Sequence, residues 1–190
     1  MNKFCLSIFF SLFFIIGCQP IENLEEIVFD YNQLSKVVLK AKQKNIIDLY
    51  DTKFEDPYID HSLKNSPKFY LNNWLENNIK IVDGKNNLII NILDASLKRN
   101  EIDNKDTQKY KEKNIYLYKV NFLVEYSIYD ESNSLLANTI VNAIASTTSS
   151  MYISLEVSEK IIDILILEAL DNISSKSDEL ISIHMKKFIL

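Results

Sequence analysis

The stretch YLYKVNFLVEYSI, Tyr116 to Ile128, decides the fold. Its side chains alternate: Tyr116, Tyr118, Val120, Phe122, Val124, Tyr126 and Ile128 fall on one side, and Leu117, Lys119, Asn121, Leu123, Glu125 and Ser127 on a more polar one. A period of two over thirteen β-branched and aromatic-rich residues is a β-strand with one buried face. Aromatic residues on such a face can stack a sugar or a lipid, but they are also what a strand beneath a helix presents. The core reading is the simpler one.

Outward from this strand, Asp130-Glu131-Ser132-Asn133-Ser134 is turn chemistry, and Leu135 to about Ser146 supplies a partner strand, so a hairpin is expected. Ser146-Thr147-Thr148-Ser149-Ser150 ends it; these hydroxyls have no histidine near in sequence to activate them. Upstream, the polar stretch Asp103 to Lys113 connects to another period-two segment from Leu88 to about Ile102, with Leu88, Ile90 and Ile92 on one side and Ile89, Asn91 and Leu93 on the other. Before it lies a helix. Ser66 is placed to cap and Pro67 to begin it, and Leu71, Trp74, Leu75, Asn78 and Ile79 recur at three- and four-residue spacing. The expected span is Pro67 to Val82, with Gly84 as a left-handed stop or turn. Trp74 at this spacing belongs to the core, the alternative being a ligand-stacking ring.

Between Ile21 and Tyr50, Val37-Val38-Leu39 and Ile46 to Tyr50 read as two short extended pieces, and Leu24 to Phe29 as a strand or a short helix. From Ser154 the period returns to that of a helix, expected over Leu155 to Ile173 or beyond, with Asn172 to Ser177 as a place to kink or interrupt it. Asp163 and Glu168 break the apolar run Ile161 to Leu170, which makes this a packing helix and not a membrane span. The elements assemble most simply as α+β: a predominantly antiparallel sheet with two amphipathic helices packed on one face, a two-layer sandwich.

The first twenty residues have a different character. Lys3 precedes an apolar run from Phe4 to Ile16, closed by Ile15-Ile16-Gly17-Cys18. Phe4 to Gly17 is fourteen residues, short of the about 20 that span a bilayer, and the pattern is that of a secretory signal peptide. Its ending resembles the lipobox of bacterial lipoproteins. The resemblance implies cleavage between Gly17 and Cys18, a diacylglycerol on Cys18 and usually a further acyl chain on the new amino terminus, which together hold a protein at a membrane. The expected organisation is a signal peptide over residues 1–17, a lipidated tether over 18–23 and one periplasmic domain over 24–190. Gln19, where an Asp would favour inner-membrane retention in such lipoproteins, points to the inner leaflet of the outer membrane.

Composition removes several function classes. The 190 residues carry a formal charge of -5, which becomes -6 when Lys3 leaves with the signal, and Arg99 is the one arginine; nucleic-acid binding draws on clustered Lys and Arg. Of two cysteines, Cys5 lies in the signal and Cys18 is the expected lipid site, so no disulfide, thiol nucleophile or cysteine metal site is available. Gly84 alone remains after Gly17, too few for a phosphate loop, a dinucleotide fingerprint or a nucleophile elbow.

One cluster of reactive side chains stands out. Glu55-Asp56-Pro57-Tyr58-Ile59-Asp60-His61 places three carboxylates, a phenol and an imidazole within seven residues. Asp56, Asp60 and His61 are the acid/base or hydrolase candidates; a metal site there needs ligands from elsewhere, and the only other histidine is His184. The plainer reading is a connector fixed by Pro57, with Tyr58 and Ile59 packing down. No catalytic set, cofactor or metal site is assigned.

Residues 50–61, Tyr-x-x-x-Phe-Glu-Asp-Pro-Tyr-Ile-Asp-His, and residues 93–97, Leu-Asp-Ala-Ser-Leu, resemble an uncharacterised proteobacterial lipoprotein family. In architecture the expected fold also resembles the lipopolysaccharide-assembly lipoprotein and the auxiliary lipoproteins of envelope ABC transporters. What these resemblances imply is a non-catalytic accessory or assembly lipoprotein with the membrane and another envelope protein as partners. The alternatives are a carrier of lipid or another hydrophobic ligand between sheet and helices, and a hydrolase.

Overall fold

In a computed structural model, residues 27–105 and 112–190 are described. The signal peptide, the tether and Cys18 lie outside these residues, as does the start of the segment Leu24 to Phe29. Four strands, β1 (Val37–Asp48), β2 (Ile79–Asp103), β3 (Asn114–Tyr129) and β4 (Leu135–Ser150), form one sheet in the order β1-β2-β3-β4. The helices are α1 (Pro67–Asn78), between β1 and β2, and α2 (Leu155–His184), after β4. β2, β3 and β4 are joined antiparallel, while β1 runs parallel to β2. That parallel pair follows from the crossover through α1, since a tight turn cannot bring two parallel strands together.

The fold is thus α+β in two layers, with α1 over β1 and β2 and α2 over β3 and β4. The aromatic row of β3 is the floor beneath the helices: Tyr118, Val120, Phe122, Val124, Tyr126 and Ile128 are buried, and Tyr116 is half-buried at the end. Leu88, Ile90 and Ile92 of β2 share that face. At Leu93 the ladder slips, with Ile92 opposite Val124 and Asp94 opposite Leu123, so the next inward residues are Ala95 and Leu97. A single extra residue reverses which parity faces the core. Trp74, Leu71 and Leu75 come down from α1, and Ile162, Leu165, Ile166, Ala169, Leu170 and Ile173 from α2. The space between sheet and helices, where a lipid carrier would hold its ligand, is occupied by these side chains.

Several sequence expectations are corrected. β1 is one strand of twelve residues, not two short pieces. β2 starts at Ile79 and runs for 25 residues, and β4 continues past Ser146 to Ser150. Helix α1 ends at Asn78 instead of Val82, and its carbonyls are satisfied from a distance. Lys44 Nζ on β1 donates to the carbonyls of Leu75, Glu76 and Ile79, each at 3.1 Å, and pairs with Glu76 Oε2 at 3.0 Å. Asn78, 2% exposed, donates its amide to the carbonyls of Tyr31 and Leu34 at 2.7 and 3.2 Å, anchoring the segment that leads into β1. A helix end whose last carbonyls have such donors needs no glycine stop.

Gly84 therefore lies inside β2, without a positive φ. It sits where the β1–β2 register shifts, Ala41 opposite Asp83 and Gln43 opposite Asn87. A Cβ there would stand 2.5 Å from the Lys40 carbonyl carbon and closer still to the Ala41 nitrogen. Its role is close backbone approach, the other use of glycine in a strand.

Helix α2 is one helix of 30 residues, uninterrupted at Asn172 to Ser177. Ser154 caps it, accepting from Val157 N at 3.2 Å, as Ser66 caps α1 by accepting from Phe69 N at 3.3 Å. Two of the three serines that look like a break, Ser174 and Ser177, are buried and used. Ser177 and the fully buried Tyr126 hydroxyl are 3.0 Å apart, and Ser174 donates to the Asp171 carbonyl at 2.9 Å.

Lys44→Met keeps the stem and removes the three bonds at the α1 terminus. The expected loss is about 2 kcal/mol, read as a fall in melting temperature of roughly 4–8 °C for a domain of this size. Glu76 is half-exposed, so Glu76→Gln should leave the melting temperature nearly unchanged.

Candidate functional site

The loop from Asp51 to Pro67 holds the sequence candidates, and its geometry follows from the end of β1. Beyond Leu49, whose N–H bonds the Ile92 carbonyl at 3.0 Å, β1 leaves the edge of β2. The vacated edge is taken by Pro57 to Ile59. Ile59 N donates to Leu97 O at 3.0 Å and Arg99 N to Pro57 O at 2.9 Å, an antiparallel bridge centred on Tyr58 and Lys98. The Asp56-Pro57 peptide bond is cis.

This short pairing sets the side chains by alternation. Tyr58 joins Lys98, whose Nζ stands 4.7 Å from the ring centroid, and Lys53 sits 4.4 Å from the same centroid and 2.9 Å from the phenol oxygen. Hydrogen bonds from Lys53 and then Lys98 hold the Tyr58 phenol below its ordinary pKa. Asp60 is 1% exposed; its Oδ2 accepts from the Tyr50 hydroxyl at 3.1 Å. Burial first, and then the Asp60 carboxylate, push the Tyr50 pKa up.

The three acid/base candidates are held apart in direction. Asp60 points in towards Tyr50, whereas His61 is exposed, its Nδ1 3.2 Å from the Lys53 carbonyl and its ring centroid 5.3 Å from that of Phe54. Asp56 is exposed in the turn before Pro57. His184 is exposed at the last residue of α2. Among the described residues no group of three or more His, Cys, Asp or Glu is arranged to hold a metal ion.

Sequence reading missed a row of polar residues crossing the sheet beside this loop. The Tyr58–Lys98 bridge brings Asp60 alongside Ser96, and Ser96 pairs with Asn121 on β3. Asp60 Oδ1, Ser96 Oγ and Asn121 Oδ1 are each buried without a hydrogen-bond partner among the described residues. Asp94 extends the row, accepting from Asn121 Nδ2 at 2.7 Å and from Ser96 N at 3.0 Å. Such a row suits a donor, water or an ammonium group, and disfavours an anion. The sequence signal was the Asp-Ala-Ser spacing after the bulge, legible only once the bulge is known.

Farther along the outer sheet face, Glu125 accepts from Asn91 and from Asn138, both at 2.8 Å, tying three strands together. This is the polar face expected from the alternation of β3. A depression of about 460 Å³ near the helix α1 terminus is lined by Asp30, Tyr31, Lys36 and Asn78, among others.

No protein-family model matches the chain, and no curated protein sequence does. The chain is similar to a minor lipoprotein from Acinetobacter baumannii, at 11% identity and a TM-score of 0.43, over 79% of this chain and 96% of that one. It is also similar to the rare lipoprotein B of Shewanella oneidensis, at 16% identity and a TM-score of 0.37, over 73% and 97% of the two chains. No helix among the described residues is long and apolar enough to cross a membrane.

Proposed function

We propose that this chain is a lipid-anchored accessory protein of the bacterial cell envelope, a binding module that assembles with another envelope protein and performs no catalysis. The observation that carries the reading is the apolar run Phe4 to Ile16 closed by Ile15-Ile16-Gly17-Cys18, with polar residues directly after it. Diacylated Cys18 is the anchor, and the outer membrane's inner leaflet is the proposed location. The divergent directions of Asp60 and His61 and the filled space between sheet and helices favour a binding surface over a hydrolase or a carrier.

In-cell crosslinking of the full-length protein, followed by affinity purification and mass spectrometry, tests this reading. A specific envelope partner is expected, and a Cys18→Ala variant should lose it along with the membrane fraction. Recovery of lipid without protein, or the same partners from the Cys18→Ala variant, would overturn it.

A further inference from the structure

We propose that β4 pairs antiparallel with β4 of a second copy of this chain, about a two-fold axis at Ile140. The inference is independent of the anchor. β4 is the last strand of the sheet, so among the described residues one side of its backbone has no strand partner. Natural edges are usually blunted by charge, proline or a bulge. β4 has the sequence LLANTIVNAIASTTSS, with neither a charged residue nor a proline; its register against β3 shifts at Leu136, near its start, and from Ala137 to Ser150 the pairing is unbroken. Helix α2 covers its inner face and leaves its outer row free.

That outer row is self-complementary. It reads Leu136, Asn138, Ile140, Asn142, Ile144, and the three apolar members are about half exposed, at 46%, 52% and 46%. With Ile140 opposite the second copy's Ile140, each Asn138 faces an Asn142 and each Leu136 faces an Ile144. The inner row matches in the same register: Thr139 meets Val141, a β-branched pair of similar shape, and Ala137 meets Ala143. Just outside, Ser134 falls opposite Ser146. A slip of two residues either way sets asparagine against isoleucine at the centre, so the pattern disfavours the neighbouring registers, and pairing about Ile140 engages the most outer-row residues. Such a strand makes an isologous contact, the same patch used by both copies, and no like charges are brought together.

The backbone agrees. Lys176 Nζ on α2, an exposed lysine, donates to the Asn142 carbonyl at 3.1 Å. Carbonyl and side-chain directions alternate together along a strand, so the carbonyls of the outer row share one direction, and a carbonyl within a lysine's reach lies on the open side. One flexible amine occupies one of these groups; a second β4 strand would engage the whole row.

Cysteine pairing in the full-length protein tests the register. In Ile140→Cys the two new thiols meet at the axis with Cα atoms about 5.5 Å apart, within disulfide range. Mild oxidation should convert it to a dimer of twice the chain mass. Leu136→Cys alone should form no covalent dimer, because two such residues lie eight positions apart, roughly 26 Å. Leu136→Cys mixed with Ile144→Cys should crosslink. As Ile140 is half exposed, Ile140→Lys should still fold, and two facing ammonium groups should shift the protein to monomer in sedimentation, with the melting temperature losing its dependence on protein concentration. An Ile140→Cys protein that forms no covalent dimer under oxidation, a link to a different protein, self-linking of Leu136→Cys as strong as that of Ile140→Cys, or an Ile140→Lys protein that remains dimeric would each overturn the proposal.

Discussion

Trp74→Ala is expected to cost about 3–5 kcal/mol, the range for truncating a fully buried large aromatic side chain. The indole is completely buried in α1, packed into the cluster that joins the helix to the sheet. Its Nε1 donates to the Ser35 carbonyl at a long 3.4 Å, so most of the cost is packing and little is the hydrogen bond. Thermal unfolding should show the transition lowered by roughly 6–20 °C, with Trp74→Phe recovering much of the loss. A ring reserved for stacking a ligand would behave otherwise, its removal leaving the melting temperature nearly unchanged. A fall of less than about 2 °C would contradict its place in the core.

Gly84→Ala is the second large effect, and the one least expected from the size of the change. One added methyl group would overlap main-chain atoms of Lys40 and Ala41, which cannot rotate away as a side-chain tip can. Relief requires separating β1 from β2 at the register shift, so the cost should reach the upper end of the overpacking range, about 3 kcal/mol, and be greater for Gly84→Val. Lys85 next to it is exposed, and Lys85→Ala should be close to neutral. Were Gly84 a helix stop requiring left-handed backbone, Gly84→Asn would be tolerated better than Gly84→Ala; with close approach as the reason, asparagine is at least as damaging.

The contrast between these two residues shows where sequence was sufficient. β3 could be read from alternation alone because one of its faces lies under helices and the other is polar, so each position reports its surroundings. The α1 start was legible because Ser66 and Pro67 act on their own neighbours. Its end was not, because the donor that satisfies the last carbonyls is Lys44, 31 to 35 residues earlier in sequence. β1 looked like two pieces because Lys40, Lys42, Gln43 and Asn45 are exposed on an edge strand and dilute the pattern. Asn172 to Ser177 looked like a break because serine and asparagine favour turns, and the Tyr126 hydroxyl that rewards Ser177 in the core is 51 residues away.

The candidate site was legible only as composition. Seven residues announced carboxylates and an imidazole, but the pairing of Tyr58 with Lys98 decides that Asp60 turns inward and His61 outward, and that pairing depends on where β1 leaves the β2 edge. The buried row of Asp60, Ser96 and Asn121 depends in addition on the extra residue at Leu93. Long-range register, not local propensity, determines which polar groups meet.

The proposed anchor, and the envelope role with it, depends on the chemistry of Cys18. Mass spectrometry of the amino-terminal peptide, taken from the protein in membranes of the cell that makes it, would settle it. The mature chain should begin at Cys18 and carry the mass of a diacylglyceryl group on its sulfur, with a further acyl chain on the new amino group. A mature chain that begins elsewhere, or one that keeps residues 1–17 with an unmodified Cys18, would contradict the lipid anchor and the envelope role built on it.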